Sequence, residues 1–121
     1  MFRNAFYRII GSDHQDGIIT ATLEINKNNE IFAGHFPGQP VLPGACMLQM
    51  LKEVLEINLN IKMRLKKAQQ VRYPTLIDPM IDNILQLTIK YIKENEVTVS
   101  GNLTGKNGIC LKFKGIFIDH L

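Results

Sequence analysis

One stretch limits the folds open to this chain more than any other. Over residues 45–58 the apolar side chains Cys46, Met47, Leu48, Met50, Leu51, Val54, Leu55 and Ile57 cover most of a helical circumference. The polar positions Gln49, Lys52, Glu53 and Glu56 form a narrow stripe at i, i+3, i+4, i+7 spacing. A helix apolar on so many sides belongs in a core. At about 1.5 Å per residue it runs about 20 Å, enough to cross a small sheet. The rest of the chain has to cover it.

The flanking segments carry the other period. Ile19, Ala21, Leu23 and Ile25 alternate with Thr20, Thr22 and Glu24, the pattern of a half-buried strand. Lys27-Asn28-Asn29-Glu30 reads as a turn and residues 32–44 as an irregular loop. Beyond the helix, residues 66–73 lead into Pro74, which stops or edges a strand. Leu85, Leu87, Ile89 and Tyr91 alternate with polar residues, as do Val97, Val99, Gly101 and Leu103. Asn107-Gly108 is a two-residue hairpin signal, because both residue types tolerate positive φ, and Ile109, Leu111, Phe113 and Phe117 carry the last strand. With no repeats or linkers, residues 1–121 form a single domain. Its class is α+β: an antiparallel sheet with one long helix on a face.

Composition removes several functional classes. No run approaches the ~20 apolar residues of a membrane span, and residues 1–8 lack the apolar core of a signal peptide; a cytoplasmic protein is expected. Cys46 and Cys110 both sit in apolar stretches and read as reduced, buried thiols. No Cys/His spacing suggests zinc and no glycine-rich phosphate loop follows a strand, so neither metal nor cofactor is expected. The net charge is only +3, yet Lys62, Arg64, Lys66, Lys67 and Arg72 fall within eleven residues with no acidic residue between them. That cluster is either a solvated strand face or a docking surface for an acidic partner. Aromatics do not interleave with it, which argues against nucleic acid.

The chemistry concentrates in His35-Phe36-Pro37-Gly38-Gln39-Pro40-Val41-Leu42-Pro43-Gly44, where a histidine is followed by prolines and glycines and then a Pro-Gly step into the helix. From Gly34 to Gly44 this segment resembles the active-site loop of the 3-hydroxyacyl-acyl-carrier-protein dehydratases, and the whole chain is similar to that family in outline. The resemblance implies the hotdog fold, an antiparallel sheet wrapped around one long central helix. It also implies a homodimer, or an assembly of dimers, with active sites between subunits: histidine from one, acid from the other. An acyl carrier protein bearing a 3-hydroxyacyl chain is the implied partner, with Lys62, Arg64, Lys66, Lys67 and Arg72 as its docking cations. His35 takes the place of the base, with a pKa suited to neutral pH. Val41 matches the position whose carbonyl orients that histidine. Gly44 opens the helix and offers an N–H to the thioester oxygen, and Phe36 and Pro43 complete the substrate-binding set.

The departure is Gln49, fourteen residues after His35, where the family has a carboxylate. An amide donates and accepts hydrogen bonds but does not deliver a proton near neutral pH. Losing a general acid typically costs about 10²–10⁴ in rate. Glu53 stands one turn on, where many relatives carry glutamine. Two roles stay open for it: acting through Gln49 or a water, or pairing with Lys52 or a dimer neighbour in the polar stripe. Ser12-Asp13-His14 has the residue types of a triad, but consecutive side chains cannot converge as one, so a polar turn is expected. His120, near the end, has no expected chemistry, and Cys46 reads as a packing residue. Three functions follow: a dehydratase, a non-catalytic acyl- or carrier-binding subunit that has lost its acid, or a hotdog thioesterase whose helix positions water.

Overall fold

The computed structural model describes residues 3–34 and 40–120. The elements run β1 (Tyr7–Gln15), β2 (Ile18–Ile25), α1 (Ile31–Gly34), α2 (Gly44–Leu59), β3 (Met63–Arg72), β4 (Ile84–Lys93), β5 (Val97–Gly105) and β6 (Gly108–Asp119). Six strands form one sheet in the order β1-β2-β4-β5-β6-β3, every pairing antiparallel. The helix interrupts the meander between β2 and β3, so β4 pairs with β2 while β3 is carried to the far edge beside β6. This is the α+β architecture that the two periodicities predict.

Alternation decides the faces. In β2, Ile19, Ala21, Leu23 and Ile25 are buried; in β4 and β5, Leu85, Leu87, Ile89, Val97, Val99 and Leu103 are buried. These meet Cys46, Met47, Met50, Leu51, Val54 and Leu55 of α2 in one core. The helix lies close on the sheet at Gly101, where a Cβ would come 2.7 Å from Leu51 Cδ1. Its last turn closes through Asn60, at φ 55°, whose N–H donates to the Glu56 carbonyl, the left-handed stop common at helix ends.

Three local expectations are corrected. Ser12-Asp13-His14 lies in β1, not in a turn; the chain reverses at Asp16-Gly17, at φ 52° and 76°, as a tight hairpin requires. His14 Nε2 lies 2.6 Å from the Tyr91 hydroxyl on the exposed side of the sheet. Ile31–Gly34 form one helical turn rather than loop, opened by the Asn29 side chain accepting from Ile31 N–H at 3.0 Å. The β5–β6 turn is centred on Lys106-Asn107, one residue earlier than expected, because Gly105 pairs with Gly108. Gly108 takes φ 117° beside it. Within the polar stripe of α2, Glu53 and Glu56 are buried.

Candidate active site

Helix α2 has no side-chain cap at its start. Pro43 is the N-cap, in extended conformation, and its carbonyl accepts from Cys46 and Met47 N–H at 3.1 and 3.2 Å. Gly44 and Ala45 N–H therefore have no acceptor among the described residues, and the partial positive charge of the helix start faces outward there. The preceding segment is fixed by Leu42 N–H donating to the Ile77 carbonyl at 2.9 Å. Leu42 is buried, and Val41 and Pro43 are half-buried.

Tyr73 closes over this helix start. A Cβ on residue 44 would lie 2.5 Å from Tyr73 Cζ and 2.8 Å from its hydroxyl. Glycine is thus required for the ring to seat, and the ring is itself 41% exposed. Desolvation raises the Tyr73 pKa above the ordinary phenol value, so it stays a neutral donor. From Tyr73 a cavity of about 670 Å³ opens along Arg72, Pro74, Thr75, Ile109 and Lys112. Arg72 and Lys112 are directly opposed across β3 and β6, and neither has an ion-pair partner among the described residues. Like charges placed opposite each other destabilise a sheet pair; an incoming anion would relieve the repulsion.

The second polar group lies on another side of α2. Gln49 Nε2 donates to Glu53 Oε2 at 2.7 Å. The other carboxylate oxygen accepts from the Tyr7 hydroxyl and from Arg3 N–H, each at 3.0 Å. Glu53 and Tyr7 are each 1% exposed. Burial foremost, then the adjacent Glu53 charge, pushes the Tyr7 phenol well above its usual range, so Tyr7 is a permanent donor. Glu53 contacts Gln49 directly, and Lys52 forms an ion pair with Glu56. Lys52 Nζ lies 4.0 Å from Glu56, whose carboxylate also accepts from Met63 N–H at 2.8 Å. Tyr7 carries no recognisable motif; only its contact with the helix brings it to the site.

The basic segment is exposed throughout: Lys62, Arg64, Lys66, Lys67 and Arg72 all face solvent on or beside the edge strand β3. Lys66 is paired with Glu96, which removes one cation from the free set. Sheet pairing adds Lys112 and Lys114 of β6, opposite Arg72 and Gln70, cations that a linear reading does not connect to the cluster. Cys46 and Cys110 are free, buried thiols, with burial pushing Cys110 up to about 11. Among the described residues no cluster of histidine, cysteine and carboxylates could hold a metal, and no helix is long and apolar enough to cross a membrane. His35 and Phe36 lie outside the described residues, so the site is built here from Val41, Pro43, Gly44, Tyr73 and the Gln49–Glu53–Tyr7 group.

Comparison with known proteins fits this arrangement. A 3-hydroxyacyl-[acyl-carrier-protein] dehydratase FabZ of Lactococcus lactis subsp. cremoris is 33% identical over 109 residues, covering 78% of this chain and 74% of the relative. A FabZ of Fusobacterium nucleatum is 24% identical over 114 residues, covering 80% and 81%. Among solved structures, a chain of the dehydratase heterocomplex ApeI:P from Xenorhabdus doucetiae superposes with a TM-score of 0.73 at 20% identity, over 91% of this chain and 96% of that one. A hypothetical thioesterase with coenzyme A from Streptococcus pneumoniae shares the fold at a TM-score of 0.65 and 13% identity, over 96% and 88%. Residues 11–110 match the ApeI-like family, described as ApeI dehydratase; the chain belongs to this family of hotdog dehydratases.

Proposed function

We propose that this chain dehydrates (3R)-3-hydroxyacyl thioesters held on an acyl carrier protein, giving trans-2-enoyl thioesters, in cytoplasmic fatty-acid or related acyl-chain synthesis. The observation that carries the reading is the Gln49–Glu53 pair. It is a hydrogen-bonded polar pair on a largely apolar helix, at the place where the family keeps its carboxylate. In the reaction His35 removes the proton at C2, and the freed electron pair forms the C2–C3 double bond. The C3 hydroxyl leaves, taking up a proton, as water. The Gly44 N–H meets the charge that builds on the thioester oxygen.

Helix geometry favours a homodimer for this chemistry. Five residues separate Gly44 from Gln49, which places them about 7.5 Å apart along the axis and roughly 140° apart around it. The two groups point in different directions and suit two different substrates, each completed by a second copy. The edge strand β3, with Leu65 41% and Val71 37% exposed, is a surface suited to such pairing. Arg72, Lys112 and the neighbouring Lys67 and Lys114, which have no ion-pair partner among the described residues, suit docking of an acidic carrier.

Incubation with a 3-hydroxyacyl carrier protein, followed for the 2-enoyl product, tests the reading; turnover no higher than that of a His35→Ala control refutes it. Gln49 favours a second reading, a hotdog subunit that binds an acyl carrier and completes a dimer with an active partner, as a heterocomplex of this family exists. Under it the chain alone is inactive and co-purified partner restores turnover. Release of free thiol without enoyl product would instead indicate a thioesterase.

A further inference from the structure

Gln49 is held in one sense. Glu53 Oε2, 2.7 Å away, is a carboxylate oxygen flanked by donors: Oε1 of the same group takes Tyr7 and Arg3 N–H. A carboxylate in this setting accepts, so only the NH₂ end of the Gln49 amide can face it. The carbonyl Oε1 of Gln49 is then the end left over, and it accepts nothing among the described residues. Gln49 itself is half-buried, so this oxygen lies at the boundary between core and site.

The support behind Glu53 is built rather than incidental. The segment from Arg3 to Tyr7 arches over the helix, with Asn4 at φ 76° and its N–H donating to the Tyr7 carbonyl at 2.6 Å. The Ala5 carbonyl accepts from both Asn26 and Asn29 side chains, at 3.0 and 3.1 Å. Phe6 packs on Phe32 with ring centroids 5.4 Å apart. The arch therefore delivers two donors to Glu53 from a fixed backbone.

We infer that Glu53, held by Tyr7 and the Arg3–Tyr7 arch, is a positioning residue. It turns the Gln49 carbonyl oxygen outward to accept a hydrogen bond from a ligand hydroxyl. The residue in the acid's place thus works as an acceptor that selects a 3-hydroxy over a 3-oxo acyl group. This rests on the dehydratase reading for the identity of the ligand, but not for the geometry. Glu53→Gln reverses the sense. The new amide keeps its oxygen toward Tyr7 and Arg3 and presents its own NH₂ to Gln49, which must flip and expose its NH₂ instead.

The test measures the affinities of hydrolysis-resistant amide analogues of 3-hydroxyacyl- and 3-oxoacyl-pantetheine by calorimetry, for the intact protein and for Glu53→Gln. The ratio of hydroxy to oxo affinity is expected to fall about tenfold or more in the variant, the effect of mispairing one buried polar group. An unchanged ratio overturns the inference. Should Glu53→Gln fail to fold, Gln49→Met removes the acceptor directly, and an unchanged ratio there overturns it equally. Nitrogen-15 NMR supplies a readout without ligand: one Gln49 side-chain N–H proton should be shifted downfield and slow to exchange, and lost in Glu53→Gln. Absence of that proton in the intact protein overturns the inference even if dehydration is observed. Failure of both analogues to bind the intact protein sinks the inference together with the dehydratase reading.

Discussion

Gln49→Glu brings a second carboxylate against Glu53, where Nε2 and Oε2 are now 2.7 Å apart. With charge centres about 4 Å apart and an effective dielectric constant near 20, the repulsion is about 4 kcal/mol. The repulsion raises the pair's proton affinity above that of glutamates in the unfolded chain, so the pair keeps one shared proton to higher pH. The folded-state pKa is raised, so the pair's contribution is fully present below the unfolded value and is lost as pH rises through the folded one. Relative to the natural protein, the variant should be destabilised by up to about 4 kcal/mol at pH 8 and by clearly less at pH 5. Urea unfolding of both proteins at the two pH values reads this directly. A destabilisation equal at both pH values would mean that Glu53 does not face residue 49, and the geometry argued here would be wrong. The same variant creates a protonated acid in the site at the lower pH. Turnover that is unchanged there would remove the missing acid as an explanation for low activity.

Gly115→Ala should cost about 2–3 kcal/mol in urea unfolding, because its Cβ would lie 2.6 Å from the Lys67 carbonyl oxygen and 2.5 Å from Phe113 Cζ, and the backbone atom cannot step aside. Gly44→Ala also meets a 2.5 Å contact, but with the half-exposed ring of Tyr73, and alanine favours the helix. Stability should change by less than about 1 kcal/mol while turnover on a 3-hydroxyacyl thioester drops by about 10²-fold, measured as enoyl formation. Arg72→Glu should raise KM for the carrier-bound substrate about tenfold at low salt, with little effect on the pantetheine substrate and a loss of salt sensitivity. Cys46 and Cys110, whose pKa values burial raises, should resist a thiol reagent at pH 8 until denaturant is added; rapid labelling of the folded protein would contradict their burial.

The long helix and strands β2, β4, β5 and β6 were legible because their apolar residues repeat with the right period over enough positions. Strand β1 was not. Gly11-Ser12-Asp13-His14-Gln15 is exposed on both faces, so no burial pattern marks it, and it is a strand because Asp16-Gly17 folds it onto β2. The turn before β6 was displaced by one residue because Gly108 serves beside the turn rather than at its centre. At the site, Gly44 and Gln49 could be placed from the loop and its spacing to the helix. Tyr7, Tyr73 and Lys112 could not, since each reaches the site from an element distant in sequence. The surroundings of the stripe of Gln49, Lys52, Glu53 and Glu56 were not legible for a related reason. Periodicity shows that these residues share a face but does not reveal what covers it, and here the N-terminal arch and Met63 do.

The energetics of Glu53 bear on why the cluster is there. Moving a carboxylate from water into a site 1% exposed carries a penalty of several kcal/mol. The hydrogen bonds from Gln49, Tyr7 and Arg3 to the charged group return about 1.5–3 kcal/mol each, of the same order as that penalty. Well-packed apolar residues of similar volume at positions 7, 49 and 53 would often do as well or better for stability. The cluster is therefore not explained by the free energy of folding. What it supplies is direction. A buried carboxylate with fixed donors behind it leaves a neighbouring amide one orientation, and it does so on a helix whose other buried residues, Glu56 apart, are apolar.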